Sequence, residues 1–247
     1  MRIIYPSLPY EVRVVDPMWE DEYRWARAHG WAVALYDSET QRLGPDSSTP
    51  ALYRGWMLSE GEYHSLERRT PLLVSVASYL SSHLATGWYE AVQNLTFSSW
   101  FLKANQPPDF SAGQRYFVKG LVKSFGEDSV VASVAQWQQL YRRHELLPEE
   151  LLFVRQHAAL LPDSERRFFV VAGEAYGANG TMLPPSLQPA VEALQPRLFY
   201  SLDVVLTQAG TPVIVEVGDG QVSDLKEWML PDFGSTVLRA LARVTQP

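Results

Sequence analysis

The stretch 199–223, FYSLDVVLTQAGTPVIVEVGDGQVS, decides how this chain is read. Apolar residues dominate Phe199–Thr207, QAGT supplies a tight turn, and Pro212–Val217 returns, so the segment reads as an antiparallel hairpin. Two acids interrupt its apolar runs. Asp203 shares a strand face with Val205 and is flanked by Leu202 and Val204, while Glu216 is bracketed by Val215 and Val217. The short turn lays the two carboxylates side by side on adjacent strands. An acid inside an apolar strand carries a large desolvation cost unless a cation compensates it. Magnesium does so, taking one or two carboxylates together with waters and phosphate oxygens. Asp219, three residues past Glu216, offers a further oxygen. The plain alternative is a pair of outward-facing acids on an edge hairpin.

Upstream of the hairpin, Glu165-Arg166-Arg167 opens the β run RFFVVAGEA (167–175). Adjacent arginines on a strand alternate faces, so one points inward, where a guanidinium clamps phosphate or carboxylate bidentately. The run Leu151–Gln156 precedes it as another strand, the two joined by a turn at Pro162 and Asp163, and GEAYGANG (173–180) reads as a hairpin turn. Earlier still, in RYFVKGLVKSFGEDS (115–129), Lys119 ends a strand and Lys123 follows four residues later. Two lysines leaving a strand into a Gly-containing loop can neutralise a polyphosphate as point charges; solvated surface lysines are the ordinary alternative. Ser98–Leu102 is a further strand, and Val130–Arg143 a helix.

The first third alternates strand and helix: Arg2–Tyr5, a helix over 17–29 capped by Asp16, Trp31–Tyr36, and Ala51–Arg54. A helix after Ser59, with Glu62 placed for a capping box, a strand at Leu72–Ser75 and a helix over Val76–Leu84 complete it. This alternation predicts a small parallel sheet with packed helices. A change to mostly antiparallel α+β character near residues 102–115 divides the chain into 1–104 and 105–247.

Composition removes whole classes of function. Of 247 residues, 46% are hydrophobic and 20% charged, which describes an ordinary globular protein. The 21 basic against 28 acidic residues leave a charge of −7, which opposes binding to nucleic acid or anionic lipid. No cysteine is present, so disulfides, thiolate metal sites and cysteine nucleophiles are all excluded. The five histidines, at 29, 64, 83, 144 and 157, show no metal-binding spacing. Neither a GxSxG elbow nor a Walker loop occurs. Without a membrane-length apolar run or a leader-like N-terminus, the expectation is a cytoplasmic protein.

Taken in order, the lysine-bearing strand, the segment LLFVRQHAAL (151–160), ERRFFVVAGE (165–174) and LDV…VIVEVGDGQ resemble an ATP-grasp protein. The wording FVK-x-x-VKS and EVGDGQVS is similar to a compact clade named for an arginine and two lysines, the R2K clade. VDPMWEDEYRWARAHGWAVALYD, YRGWMLSEGEY and GWYEAV resemble that clade's N-terminal lobe. The resemblance implies an α/β (α+β) fold: a small parallel α/β pre-ATP-grasp lobe followed by two α+β subdomains clasping ATP. It implies Lys119 and Lys123 on the phosphates, and a hinge of Phe153, Val154, Arg155, Gln156 and His157 around adenine. It places Mg2+ or Mn2+ on Asp203, Glu216 and Asp219, Arg167 on the γ-phosphate or an acyl phosphate, and Arg54 on the substrate side. Gly218 stands where the family pattern has the ligand asparagine, so Asp219 or Gln221 is expected to supply that oxygen.

The activity so implied is ATP- and Mg2+-dependent ligation of a small-molecule or peptide carboxylate to an amine through an acyl phosphate. A phosphotransferase and a nucleotide-binding module without catalysis are the alternatives.

Overall fold

The computed structural model describes residues 1–45 and 47–245. Asp46 and the last two residues of the expected 105–247 unit lie outside the described residues. The N-terminal sheet grows around β1 (Arg2–Leu8), which is buried along most of its length, as expected of a strand covered on both faces. The chain doubles back as antiparallel β2 (Glu11–Val15). Helix α1 (Glu20–Ala28) then crosses to β3 (Ala32–Asp37), which lies parallel to β1 with Ile3 opposite Val33. A short β4 (Arg42–Gly44) edges β3, and β5 (Ala51–Tyr53) runs parallel to Arg2–Ile4. Two of these strands, β2 and β4, were not anticipated, β2 despite the alternation of Glu11-Val12-Arg13-Val14.

Helix α2 (Glu60–Glu67) opens with the expected capping box, Ser59 Oγ accepting from the Glu62 N–H while the Glu62 carboxylate accepts from the Ser59 N–H. Helices α3 (Val76–His83) and α4 (Ala85–Val92) follow. The expected strand at Leu72–Ser75 shrinks to one bridge between Leu72 and Ala51, because Ser75 caps α3 by accepting from the Ser78 N–H.

The middle sheet contains β6 (Ser99–Lys103), β7 (Tyr116–Lys119), β8 (Val130–Val131) and β9 (Leu151–Gln156), ordered β6-β9-β7-β8 and antiparallel throughout. Helix α5 (Val134–Arg143) packs Trp137 and Leu140 against it. The helix expected from Val130 begins four residues later because Ser133 caps it.

The C-terminal sheet contains β10 (Arg166–Val171), β11 (Glu174–Gly177), β12 (Phe199–Leu206) and β13 (Pro212–Asp219), ordered β11-β10-β12-β13. Helix α6 (Gln188–Ala193) links β11 to β12. The hairpin of β12 and β13 is as expected. Two readings nearby need correction. The runs joined at Pro162 and Asp163 fall into different sheets. The turn expected over GEAYGANG sits instead at Ala172-Gly173, both at positive φ, and Glu174–Gly177 is itself a strand. The chain then ends in α7 (Leu230–Phe233), a π-helical segment Gly234–Leu238, and α8 (Arg239–Val244).

Strand parity in β10 explains how the core and an open cleft share one sheet. Phe168 and Val170 face a cluster with Trp88, Phe153 and Leu202. Phe169 and Val171 face the core of the N-terminal sheet, which Phe233, Val237, Leu238 and Leu241 complete. Arg167 has the parity of Phe169, so it emerges where that core stops. Among the described residues no helix is long and apolar enough to cross a membrane.

Candidate active site

Register brings the chemistry-bearing residues together. Arg167 on β10 stands opposite Asp203 on β12, which stands opposite Glu216 on β13, and Ser201 stands opposite Gly218. Alternation therefore puts all five on one face of the C-terminal sheet. From the middle sheet, Phe117 and Lys119 on β7 stand opposite Arg155 and Phe153 on β9. Between the two sheets lies a cleft of about 750 Å³ whose lining includes Lys119, Lys123, Arg155, Gln156, His157, Arg167, Glu216 and Asp219.

Two side chains cross this gap. Lys119 Nζ donates to Glu216 Oε1 at 2.7 Å, with the lysine side chain 7% exposed and the glutamate 39% exposed. Arg155 Nη1 donates to the Val215 carbonyl at 2.9 Å, and its guanidinium stacks on the Phe153 ring at 4.9 Å. Its Nε and Nη2 are buried without partners. Burial lowers the Arg155 pKa to about 10, with the Glu216 charge acting in opposition.

Asp203 is placed differently from the expectation of an open metal ligand. Arg167 holds both its oxygens, Nε to Oδ1 at 2.8 Å and Nη2 to Oδ2 at 2.7 Å, and Lys226 Nζ adds a contact at 2.9 Å. Burial pushes the Asp203 pKa up, but the hydrogen bonds and charge of Arg167, joined by Lys226, outweigh it and leave it lowered. The desolvation argument therefore holds, and in this structure arginine and lysine supply the compensation. Arg167 also reaches Asp224, and its backbone N–H donates to Glu227.

Asp219 forms the closed end of the acidic group. Its Oδ1 accepts from Gln221 N and Nε2, both at 3.0 Å, while Oδ2 is buried without a partner. Burial raises its pKa to about 7 despite Gln221 and Arg54. Gly218 sits in a crowded position, because a Cβ there would lie 2.7 Å from Ser201 Oγ and 3.1 Å from Ser223 Oγ, so those hydroxyls would have to move. Those hydroxyls bond each other at 2.8 Å, and Ser223 Oγ donates to the Asp219 carbonyl.

Four expected site residues do not line the cleft: Asp203, bound by Arg167 and Lys226 as above, and Phe153, Val154 and Arg54. Phe153 and Val154 are fully buried on β9, in the cores on either side of the middle sheet. Arg54 is 0% exposed. It binds both oxygens of Glu22 and donates to the carbonyls of Gly220, Gln221 and Ser223. Burial lowers the Arg54 pKa, but Glu22 more than offsets this, and it ends raised. Arg54 thus clamps the loop after β13 from within.

Sequence reasoning missed Glu22, Lys226 and His83. Glu22 sits on the row of α1 that buries Ala26, so an acid on an apolar helical stripe was the available signal. His83 ends α3 and lines the cleft, with nothing in its spacing to mark it.

These residues fit a divalent cation in part. Glu216 offers a half-open carboxylate to the cleft, whereas Asp203 is occupied by Arg167 and Lys226, and the described residues contain no cluster of three acidic or imidazole ligands. One open carboxylate suits a cation that arrives carrying phosphate oxygens of its own.

A family model described as ATP-grasp domain, R2K clade family 3, matches residues 67–241. Comparison with curated proteins finds no significant match. Among solved structures, D-cycloserine synthetase DcsG is similar over all of both chains at 12% identity, with a TM-score of 0.68. A RimK domain ATP-grasp protein from Sphaerobacter thermophilus DSM 20745 is similar over 98% of each chain at 17% identity, TM-score 0.67. D-alanine–D-alanine ligase from Bacillus anthracis is similar over 98% of this chain and 96% of its own at 12% identity, TM-score 0.62. These likenesses establish the shared fold.

Proposed function

Because the chain belongs to the ATP-grasp domain family, R2K clade family 3, we propose that it is an ATP- and Mg2+-dependent ligase. It joins a carboxylate to an amine through an acyl phosphate. The observation that carries this reading is the charge layout of the cleft. Lys119, Lys123, Arg155 and Arg167 converge on one cavity beside the half-open carboxylate of Glu216. Four cations around one cavity suit a polyphosphate and the negative charge that builds during phosphoryl transfer.

In this reading the backbone of Arg155–His157 receives the base, and Lys119 and Lys123 hold the phosphates. Arg167 orients the transferring phosphoryl group. Glu216, with Asp203 and Asp219 nearby, would hold Mg2+, which would neutralise phosphate oxygens when bound. Arg54 acts as a positioning residue that fixes the loop carrying Asp219. Residues 1–104 form the substrate-side lobe, with Ser99–Lys103 crossing to edge the middle sheet, and 105–247 form the part that clasps the nucleotide. D-alanine–D-alanine ligase, as its name states, joins two amino acids, which supports a small carboxylate and an amine as substrates.

The test is ADP release from MgATP with pools of amino acids and small peptides, with hydroxylamine present to trap acyl phosphate as hydroxamate. Amino-acid-dependent hydroxamate supports the ligase. A phosphorylated acceptor without hydroxamate would replace it with a phosphotransferase, and nucleotide binding without turnover would favour a non-catalytic module.

A further inference from the structure

An amine nucleophile is mostly protonated at neutral pH and cannot attack until it loses a proton, so a ligase of this kind needs a base where the amine docks. Most acids lining the cleft are already engaged. Glu216 is bound to Lys119, Glu165 to Lys226 and Asp224 to Arg167, while the free oxygen of Asp219 is sealed from the cavity. His157 follows directly on β9, within the segment read as receiving the base.

Among the described residues before residue 93, Met57 and His83 alone contribute to the lining. His83 is 7% exposed, at the C-terminal end of α3, with its ring 4.3 Å from that of Tyr79. Its Nδ1 is fully enclosed and makes no close hydrogen bond, so the accessibility the imidazole retains belongs to the Nε2 side, toward the cavity. Burial lowers its pKa, with the Tyr79 carbonyl one turn back acting in opposition. The ring is therefore neutral at pH 7, and the tautomer a base requires carries its proton on Nδ1, on the side of that carbonyl, and its lone pair on Nε2. No side chain shares that lone pair, because His83 makes no ion pair and its aromatic neighbour Tyr79 directs its own hydroxyl to the Leu58 carbonyl.

We propose that His83 is the catalytic base for the acceptor, which identifies the acceptor as an ordinary ammonium-bearing amine docking between Met57, His83 and the Ser201–Ser223 wall. The step is R–NH3+ passing a proton to His83 Nε2, leaving R–NH2 and an imidazolium. The nitrogen lone pair then forms the C–N bond as the acyl C–O bond to phosphate breaks. The departing phosphate carries off the electron pair, and the remaining nitrogen proton leaves to solvent. This assignment rests on the ligase reading.

The experiment compares wild type with His83→Gln, which keeps a polar group of similar reach but accepts no proton, and with His83→Asn as a second variant. MgATP supplies the phosphoryl group, and pools of the twenty standard amino acids serve as carboxylate donors. One reaction uses hydroxylamine, a nucleophile already neutral at pH 7, and the other uses the same amino acids as acceptors. Hydroxamate formation within about threefold of wild type, with amide formation reduced about 10²-fold or more, is the expected result. Equal loss of both products in folded variants would overturn the role of His83 and leave the ligase reading intact. Absence of hydroxamate from the wild type would remove the ligase reading and this proposal with it. Unfolding curves of the variants that match wild type separate either result from failure to fold.

Discussion

Lys119 and Glu216 join two sheets: Nζ at the end of a middle-sheet strand lies 2.7 Å from Oε1 on the last strand of the C-terminal sheet. A nucleotide entering the cleft must compete with Glu216 for that lysine. Glu216→Gln is therefore expected to split nucleotide binding by metal content. With EDTA present, ADP should bind the variant several-fold more tightly than wild type, because a carboxylate facing the phosphates has been removed. With excess Mg2+ the order should reverse. Titration calorimetry in both buffers checks this, and equal affinities under both conditions would count against Glu216 as the cation's ligand.

On the proposed function, Lys119→Met removes a cation that would bind phosphate and frees Glu216 to repel the ligand. In wild type, ligand at 100 times its Kd adds about 2.7 kcal/mol of stability. At the same MgATP concentration, the variant is expected to lose most of the resulting Tm shift. A full shift in the variant would move the phosphate site elsewhere.

Asp203→Asn should behave unlike Glu216→Gln. Both Asp203 oxygens are bound by buried Arg167, and Oδ2 also by the partly exposed Lys226, so the substitution removes the buried acid at the centre of the pair, leaving the cations only Asp224 and Glu165. Breaking one member of a buried pair typically costs about 3–5 kcal/mol. Urea unfolding at pH 7 should show a loss approaching that size for Asp203→Asn, and little for half-exposed Glu216→Gln.

Asp219 makes stability pH-dependent in an unusual direction. Its pKa is raised to about 7 by burial, above the ordinary carboxyl value of the unfolded chain. The folded state therefore binds the proton more tightly, and the contribution of this group is most favourable below pH 4. That contribution is lost as pH rises from about 4 to 7. Asp219→Asn, which cannot ionise, is expected to gain stability relative to wild type as pH rises, reaching a plateau near pH 8. Paired urea melts at pH 4.5 and pH 8 check the sign.

Gly218→Ala tests crowding instead of charge. A methyl group would approach Ser201 Oγ to 2.7 Å, and overpacking of this kind costs about 1–3 kcal/mol. The cost should be smaller in a Ser201→Ala background, and a double-mutant cycle by chemical denaturation measures the difference.

The hairpin was legible because local signals agreed: apolar alternation on both arms, a short polar turn, and acids whose burial demanded an answer. The identity of that answer was not legible. Arg167 and Lys226 reach Asp203 from 36 and 23 residues away in sequence, and nothing in the period of either segment states which cation arrives. Arg54 shows the same limit more sharply. Its substrate-side role was implied by the family resemblance alone, whereas its place in the fold depends on Glu22 and on three carbonyls more than 160 residues downstream. The strands β2 and β4 escaped notice because both are short and lie at the edges of their sheet, although Val12 and Val14 alternate with Glu11 and Arg13 in β2. Glu216 was legible as an acid in an otherwise apolar strand and Lys119 as a lysine leaving a strand into a Gly-containing loop, whereas Arg155 entered only through the family resemblance.

The contribution of Phe233, Val237, Leu238 and Leu241 to the core around Ile3, Ile4 and Tyr5 has a consequence for biosynthesis. The first strands leave the ribosome about 230 residues before the helix that finishes burying them. Until then, part of their apolar surface has no native cover and is open to association with other chains. Release of a nascent chain stalled before Leu230 should yield a species that binds hydrophobic dyes and chaperones, even though the whole parallel sheet has been synthesised.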